Sequence, residues 1–225
     1  PLLRDSVDGP FCYIQKEDRV ILDPDIPLFA VINLAGENIA DKRWNDQRKK
    51  DIVESRQKTT RLLSEALAAS KHKPEVFLSA SAIGYYGSNP AGSVTEASPP
   101  GNDFMAEVAT KWEAATEPAI AAGIRTAHLR FAIVLSTKGG VLDNFLLPMN
   151  LAVVGATGDG QQIMSWISIV DVVRFLNHAL EDSRVSGPVN LAAKDTVSSI
   201  EFAKTLSKAS KRFRLPTLPA PVVRL

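Results

Sequence analysis

The chain is poor in the residues that build disulfide, redox and metal chemistry. Cys12 is its one cysteine, so neither an internal disulfide nor a cysteine-ligated zinc site can form within it. The three histidines, His72, His128 and His178, are too scattered to spell a metal motif. Excess charge is missing as well. The formal net charge of +1 lacks the basic surplus that a broad nucleic-acid surface needs. No apolar run reaches the roughly 18 residues of a membrane span, and no signal peptide opens the chain. These absences imply a soluble protein without a nucleic-acid partner, in a reducing compartment: the cytoplasm or an organelle interior such as the mitochondrial matrix or plastid stroma. Protein partners stay open. Pro1 in place of methionine points to a chain that begins inside a longer precursor.

What is present is a large apolar share, 45% of 225 residues, arranged as alternating strand and helix patterns. Residues 29–34 (FAVINL) and 76–82 (VFLSASA) read as buried strands, and 126–135 as a third. Between the first two, 46–70 has helical periodicity, with Ile52, Thr59, Leu63, Ala66 and Leu67 near one face. Prolines and glycines make 87–102 a loop. Asp103 then caps a helix running to about Ala122, with Phe104, Val108, Trp112, Ala115 and Ala119 inward. Further on, 141–154 reads as helix then extended chain, 165–180 as a short strand and a helix from about 170, 189–192 as a strand, and 198–210 as a helix. Pro216, Pro219 and Pro221 exclude a regular helix in the tail. The expected fold is an α/β, Rossmann-like doubly wound parallel sheet. Its expected parts are an irregular segment 1–28, a Rossmann-like domain 29–213 and a proline-rich tail 214–225.

Such sheets bind ligands beyond the carboxyl ends of their strands. Asn33-Leu34-Ala35-Gly36 lies there. Its small residues would let a ring or ribose approach the backbone, or they make an ordinary strand-to-helix turn. Ser79-Ala80-Ser81-Ala82 with Gly84-Tyr85-Tyr86-Gly87 is richer. Two serines at spacing two share one side of a strand and could bond a ligand oxygen, and a nearby phenol could move a proton. The alternative is serines bonded to backbone and tyrosines packed under a loop. Arg43-Trp44 could line a pocket for an anionic or planar group. A solvated loop with a packed indole is the commoner outcome and is favoured.

VINLAGENIADKRW, SASAIGYYG, NDFMAEVATKWE, MSWISIVDVV and SGPVNLAA, in that order, resemble the atypical extended short-chain dehydrogenase/reductases of nucleoside-diphosphate-sugar-epimerase-like type. The resemblance runs from about residue 30 to the C-terminus, and it implies that 29–213 is an incomplete NAD(P)-binding domain and 214–225 the start of a C-terminal substrate-side region. It implies an NADP or NAD cofactor, with Leu34, Ala35 and Gly36 edging its adenosine side and Ser79, Ala80 and Ser81 approaching the nicotinamide ribose. Arg130 would continue the cofactor or substrate wall. Ser81 corresponds to the catalytic serine of extended members, and Tyr85 or Tyr86 is left as the candidate phenol.

Departures from that pattern are equally specific. Active members carry Tyr-x-x-x-Lys on the helix that here reads Phe104-Met105-Ala106-Glu107-Val108, with no phenol or amine; Lys111 lies beyond. Phe131-Ala132 replaces a hydroxyl residue and glycine, Ser168 and Val170 replace a histidine and an acid beside Asp171, and Asn150 and Gln161 replace arginines. Residues 1–28 hold Gly9 alone where relatives open with strand, Gly-x-x-Gly-x-x-Gly and helix. The missing glycine-loop unit points to a fragment. Two functions are expected from this balance. The first is a nicotinamide-dinucleotide-binding, epimerase- or reductase-like protein of weak or unknown catalytic activity on a small or nucleotide-linked substrate. The second is a non-catalytic accessory subunit that keeps the fold.

Overall fold

Val76–Ala82 is buried along nearly its whole length, which places it in the interior of a sheet. In the computed structural model, residues 3–4, 11–14, 17–39, 42–88, 92–139, 153–154, 160–210 and 213–214 are described. In chain order they form β1 (Leu3–Arg4), β2 (Phe11–Ile14), β3 (Arg19–Leu22), β4 (Ala30–Asn33), α1 (Asp46–Ala69), β5 (Val76–Ala82), a 3-10 turn (Ile83–Tyr86), α2 (Phe104–Ala114) and α3 (Glu117–Ala121). There follow β6 (Arg125–Phe131), β7 (Ile133–Leu135), β8 (Val153–Val154), β9 (Ile163–Met164), β10 (Trp166–Ser168), α4 (Ile169–Glu181), β11 (Gly187–Leu191), β12 (Val197–Ser198), α5 (Ser199–Ser210) and β13 (Phe213–Arg214). The central sheet has the order β11-β6-β5-β4, and β4 runs parallel to β5 with Asn33 opposite Ser79. Among the described residues no helix is long and apolar enough to cross a membrane.

Two compact units divide the chain: residues 1–130 with 178–190, and residues 131–177 with 191–225. In the first, Leu63 and Leu67 of α1, Phe77 of β5, Ala119 of α3 and Ile124 form one buried cluster, joined by Val20, Leu22, Leu28 and Val31. Burying such side chains stabilises by about 1.5–3 kcal/mol each. The α1 face is wider than its apolar stripe, because Thr60 and Ser64 are fully buried too. Each has partners. Ser64 Oγ donates to the Thr116 carbonyl at 3.0 Å and accepts from Ala119 N–H at 2.9 Å. Asn45 caps the start of α1, accepting from Arg48 N–H, and Asp103 caps α2, accepting from Ala106 N–H. At the far end of α4, Arg125 donates to the carbonyls of Ala179 and Val185, both at 2.9 Å. A cation there satisfies the last carbonyls of a helix.

In the second unit β10 pairs in parallel with β7, β12 antiparallel with β9, and β13 in parallel with β8. Ser168 and Asp171, the residues standing at the altered acid stretch, cap α4. Ser168 Oγ accepts from Asp171 N–H at 3.0 Å and donates to its carboxylate at 2.7 Å.

Three sequence expectations are corrected. Within 1–28, expected as an irregular segment, the described residues include an antiparallel hairpin of β2 and β3 with β1 beside β2. Alternate residues Cys12 and Ile14 are buried, and Asp18 turns the chain with φ 51°. The helix expected from 103 to 122 breaks after Ala114, because Pro118 at the start of α3 cannot donate to, or pack against, the preceding helical turn. The strand expected over 126–135 divides at Ala132, and β7 takes β10 as partner. Asn150, most of 141–154 and most of the tail lie outside the described residues.

The loop after the 3-10 turn closes where two glycines meet. A Cβ on Gly101 would stand 2.6 Å from the Gly87 Cα, and Gly87 itself has φ +81°. Gly101→Ala is expected to destabilise the protein by about 1–3 kcal/mol through forced backbone displacement, read as a lower midpoint in urea unfolding.

Candidate functional site

Parallel pairing of β4 with β5 puts their carboxyl ends side by side, so Leu34-Ala35-Gly36 and the segment from Ser79 to Tyr86 emerge at the same edge of the sheet. Asn33 joins them. It is 4% exposed, its amide donates to Thr60 Oγ1 at 2.8 Å and to Ser79 Oγ at 3.5 Å, and its oxygen accepts from Ala35 N–H at 3.2 Å. Thr60 Oγ1 also accepts from the Trp112 indole at 3.0 Å. A polar seam thus links β4, β5, α1 and α2 directly beneath the edge.

Beside β4 runs a groove of about 970 Å³. Leu34, Ala35 and Gly36 line it, with Leu34 59% exposed. Its polar lining includes Asp18, Glu37, Asp51, Glu54 and Lys58, and Lys58 is paired to Asp18 at 2.6 Å. Two arginines of α1 clamp the loop that follows Gly36. Arg48 pairs with the Glu37 carboxylate and donates to the Asn38 carbonyl. Arg56 donates to the Glu37 carbonyl at 2.8 Å and lies 5.1 Å over the Trp112 ring. Burial holds the Arg56 pKa below its ordinary value, although Glu37 opposes that shift. A Cβ on Gly36 would meet the Arg56 guanidinium at 3.2 Å, so glycine lets the clamp close.

The second assembly centres on Glu113. Ser81 Oγ donates to its Oε1 at 2.7 Å. Arg130 grips both carboxylate oxygens, Nε to Oε1 at 2.8 Å and Nη2 to Oε2 at 2.9 Å. Its Nη1 donates to Tyr86 Oη at 2.9 Å and to the Glu96 carbonyl at 3.3 Å. Tyr86 Oη in turn donates to Asn190 Oδ1 at 2.7 Å, and Glu96 accepts from Asn190 N–H at 2.9 Å. The Arg130 guanidinium lies 3.5 Å from the Tyr85 ring centroid, whose hydroxyl has no hydrogen-bond partner among the described residues. Burial alone would lower the Arg130 pKa, but the bonds to Glu113 and Tyr86 outweigh it and hold it above the ordinary arginine value. The cation is permanent.

His128 flanks this group. Thr116 Oγ1 spends its proton on the Glu113 carbonyl at 2.8 Å, so it accepts from His128 Nε2, also at 2.8 Å. That assigns the Nε2–H tautomer. Desolvation pushes the His128 pKa below 6.5 and Arg130 adds to the shift, while Glu113, 3.9 Å from Nδ1, opposes it. Among the described residues no group of three or more His, Cys, Asp or Glu is placed to hold a metal ion.

The sequence candidates therefore fall into two groups. Leu34, Ala35 and Gly36 face the groove. Ser81, Tyr85, Tyr86 and Arg130 meet in the Glu113 assembly, with Ser81 and Arg130 each 2% exposed. Arg130 supports the edge from below, with Nε, Nη1 and Nη2 each bonded within the protein. Ser79 is buried against Asn33, and Ala80 is 6% exposed. Trp44, 44% exposed, meets Phe104 edge-on at 5.4 Å with its indole N–H on the Ile39 carbonyl, and Arg43 is exposed. Sequence reasoning missed Glu113, Glu96, Asn190, Arg48 and Arg56. Only Glu113 left a signal, an acid beside an inward-facing tryptophan on an amphipathic helix.

Glu113→Leu or Arg130→Leu leaves the other charge buried and unpaired, and each is expected to destabilise by about 3–5 kcal/mol. The double substitution should lose less than the sum, measured as a double-mutant cycle in urea. His128 gives a pH signature. Its folded-state pKa is depressed, so its contribution is fully present above the unfolded value of about 6.5 and is lost as pH falls through the lower folded value. The slope should approach about 1.4 kcal/mol per pH unit at most, and His128→Asn should remove it.

Residues 17–192 match the family model described as the NAD dependent epimerase/dehydratase family. The mouse (Mus musculus) epimerase family protein SDR39U1 is 38% identical over 198 residues, 86% of this chain and 67% of that protein. An epimerase family protein of Mycobacterium tuberculosis is 37% identical over 195 residues, 87% of this chain and 64% of its own length. The chain thus spans about two thirds of these relatives. Among solved structures, human SDR39U1 with NADPH superimposes with a TM-score of 0.81 at 34% identity, covering 88% of this chain and 68% of that one. The nucleoside-diphosphate sugar epimerase of Corynebacterium glutamicum gives 0.70 at 35% identity over 87% of this chain and 42% of that one. With a parallel central sheet and this breadth of similarity, the chain belongs to the NAD dependent epimerase/dehydratase family.

Proposed function

We propose that this chain is a nicotinamide-dinucleotide-binding, epimerase- or reductase-like protein of weak catalytic activity, taking a small or nucleotide-linked substrate. The observation that carries this is the shared carboxyl edge of β4 and β5, where Leu34-Ala35-Gly36 borders the groove and Tyr85 stands on Arg130. Human SDR39U1, similar over most of this chain, holds NADPH in its structure.

The residues fit the uncharged parts of a dinucleotide. A volume of about 970 Å³ lies at the upper end of the range for small-molecule pockets. Exposed Leu34 offers an apolar face to a flat ring, and Gly36 leaves room for the Arg56 guanidinium that clamps the loop beside it. Glu37, Asp51 and Glu54 suit ribose hydroxyls and repel phosphates. Holding the pyrophosphate falls to no glycine loop among the described residues. Leu34 to Gly36 would border the nucleoside, and the bound dinucleotide would supply or accept hydride.

Weak chemistry follows from how the hydroxyls are used. The Ser81 proton is committed to Glu113 and the Tyr86 proton to Asn190. Neither is free to polarise a carbonyl. Losing the usual acid or base lowers rates about 10²–10⁴-fold.

Titration with NADPH and NADH, followed by nicotinamide fluorescence, tests the proposal. Saturable binding in the micromolar range is expected for at least one of them. Gly36→Val should weaken it about tenfold or more, a change of roughly 1.4 kcal/mol. No saturable binding of either cofactor to the full chain would rule the proposal out.

A further inference from the structure

Going beyond the cofactor reading, we propose that the open side of β4 is a docking edge for an extended, basic and apolar segment of a partner protein, which joins the central sheet as a further strand. The sheet order β11-β6-β5-β4 ends on β4, and among the described residues no strand pairs with its other side. The Phe29 carbonyl accepts from Glu75 N–H at 2.9 Å, toward β5. Successive residues of a strand turn their amide and carbonyl groups to alternate neighbours. Val31 and Asn33 therefore face β5, and Ala30 and Ile32 present theirs to the open side.

The surface along that side suits a strand. Val31 and Asn33 turn their side chains to α1, Val31 against the cluster of Leu63 and Leu67 and Asn33 onto Thr60. Ile32 then points to the opposite face, where it is 41% exposed. Phe11, Leu22 and Leu28 add apolar surface along the groove beside β4. An unpaired edge bordered by apolar side chains is a template for a further strand, with backbone bonds giving affinity and alternate side chains giving selectivity.

Charge selects the occupant. Among the acidic groups lining the groove, Asp18 is taken by Lys58 and Glu37 by Arg48. Asp51 accepts only from the neutral Gln47 amide, and neither it nor Glu54, three residues on along α1, is in an ion pair among the described residues. Lysine or arginine side chains on the α1 face of an incoming strand would complete both carboxylates. Apolar side chains on its other face would continue the surface of Ile32. A second copy brings the same carboxylates to the edge, and a nucleic acid brings phosphates, so both are repelled. The cofactor reading uses Leu34 to Gly36, beyond the strand's end. This inference uses the backbone of Ala30 and Ile32, and neither depends on the other.

A labelled peptide of alternating valine and lysine, about seven residues and roughly 23 Å when extended, tests this by fluorescence anisotropy with the full chain and no cofactor. Saturable micromolar binding is expected, weak because the contact falls below the about 1,200 Å² of stable complexes. Exchanging each lysine of the peptide for glutamate, or Glu54→Lys in the protein, should weaken binding about tenfold or more. Methylating the central peptide nitrogens keeps the charge and removes the backbone donors, and it should weaken binding as much. Ile32→Pro removes an N–H on the open side, where an edge strand tolerates proline, and should abolish binding. Amide exchange followed by NMR should slow at Ala30 and Ile32 when the lysine peptide is added. No saturable binding, or equal binding of the methylated and unmethylated peptides, would overturn the proposal even if Ile32→Pro failed to fold. So would dimerisation of the chain alone that Ile32→Pro disrupts, since a second copy would then occupy the edge. Peptide binding by a chain that takes up neither NADPH nor NADH supports this inference and rules out the cofactor reading; cofactor binding without peptide binding does the reverse.

Discussion

The buried pair between Glu113 and Arg130 is the constraint on which the site depends. It joins α2 to β6 across the interior of the first unit, where either charge alone would be strongly unfavourable. Three polar groups nearby are oriented by one member of that pair. Ser81 points its proton at the carboxylate, Tyr86 receives the outer guanidinium nitrogen, and Glu96 draws the loop after Gly87 over the same spot. Removing the pair would therefore disturb three strands' carboxyl ends at once. Such groups can also specify a unique arrangement.

A second constraint holds the neighbouring strand end. The loop after β4 has few apolar contacts of its own, yet Arg48 and Arg56 tie its carbonyls and its carboxylate to α1. Small residues at Ala35 and Gly36 make that clamp sterically allowed. The groove beside them is acidic and apolar together, a combination that favours ring and hydroxyl recognition over phosphate recognition. The loop after β4 lies within residues 17–192, which match the family model.

Much of the fold was legible in order. Val76–Ala82 opens on an apolar Val-Phe-Leu run, continues in small residues and lies between Pro74 and Gly84, so both its boundaries follow from local chemistry. Asp103 marks a helix start by a side-chain oxygen that accepts from an early backbone amide. Less was legible where a local signal competes with a tertiary one. The inward stripe expected through 103–122 is real at Trp112, Ala115 and Ala119, yet Pro118 breaks the helix that carries it. In 1–28 the strands are short, and pairing between them gives them their identity.

Sequence alone determined the α/β class, the parallel strands with intervening helices, and the ends at which Gly36 and Ser81 emerge, because periodicity, caps and glycine placement are local properties. It also marked Ser81, Tyr85, Tyr86 and Arg130 as residues worth following. Tertiary structure alone decided what they do. Glu113 lies 32 residues from Ser81 and 17 from Arg130, and Asn190 lies 104 from Tyr86. Which hydroxyl is spent and which is free depends on partners that distant, and hydrogen bonds between such positions leave no periodic trace in a chain.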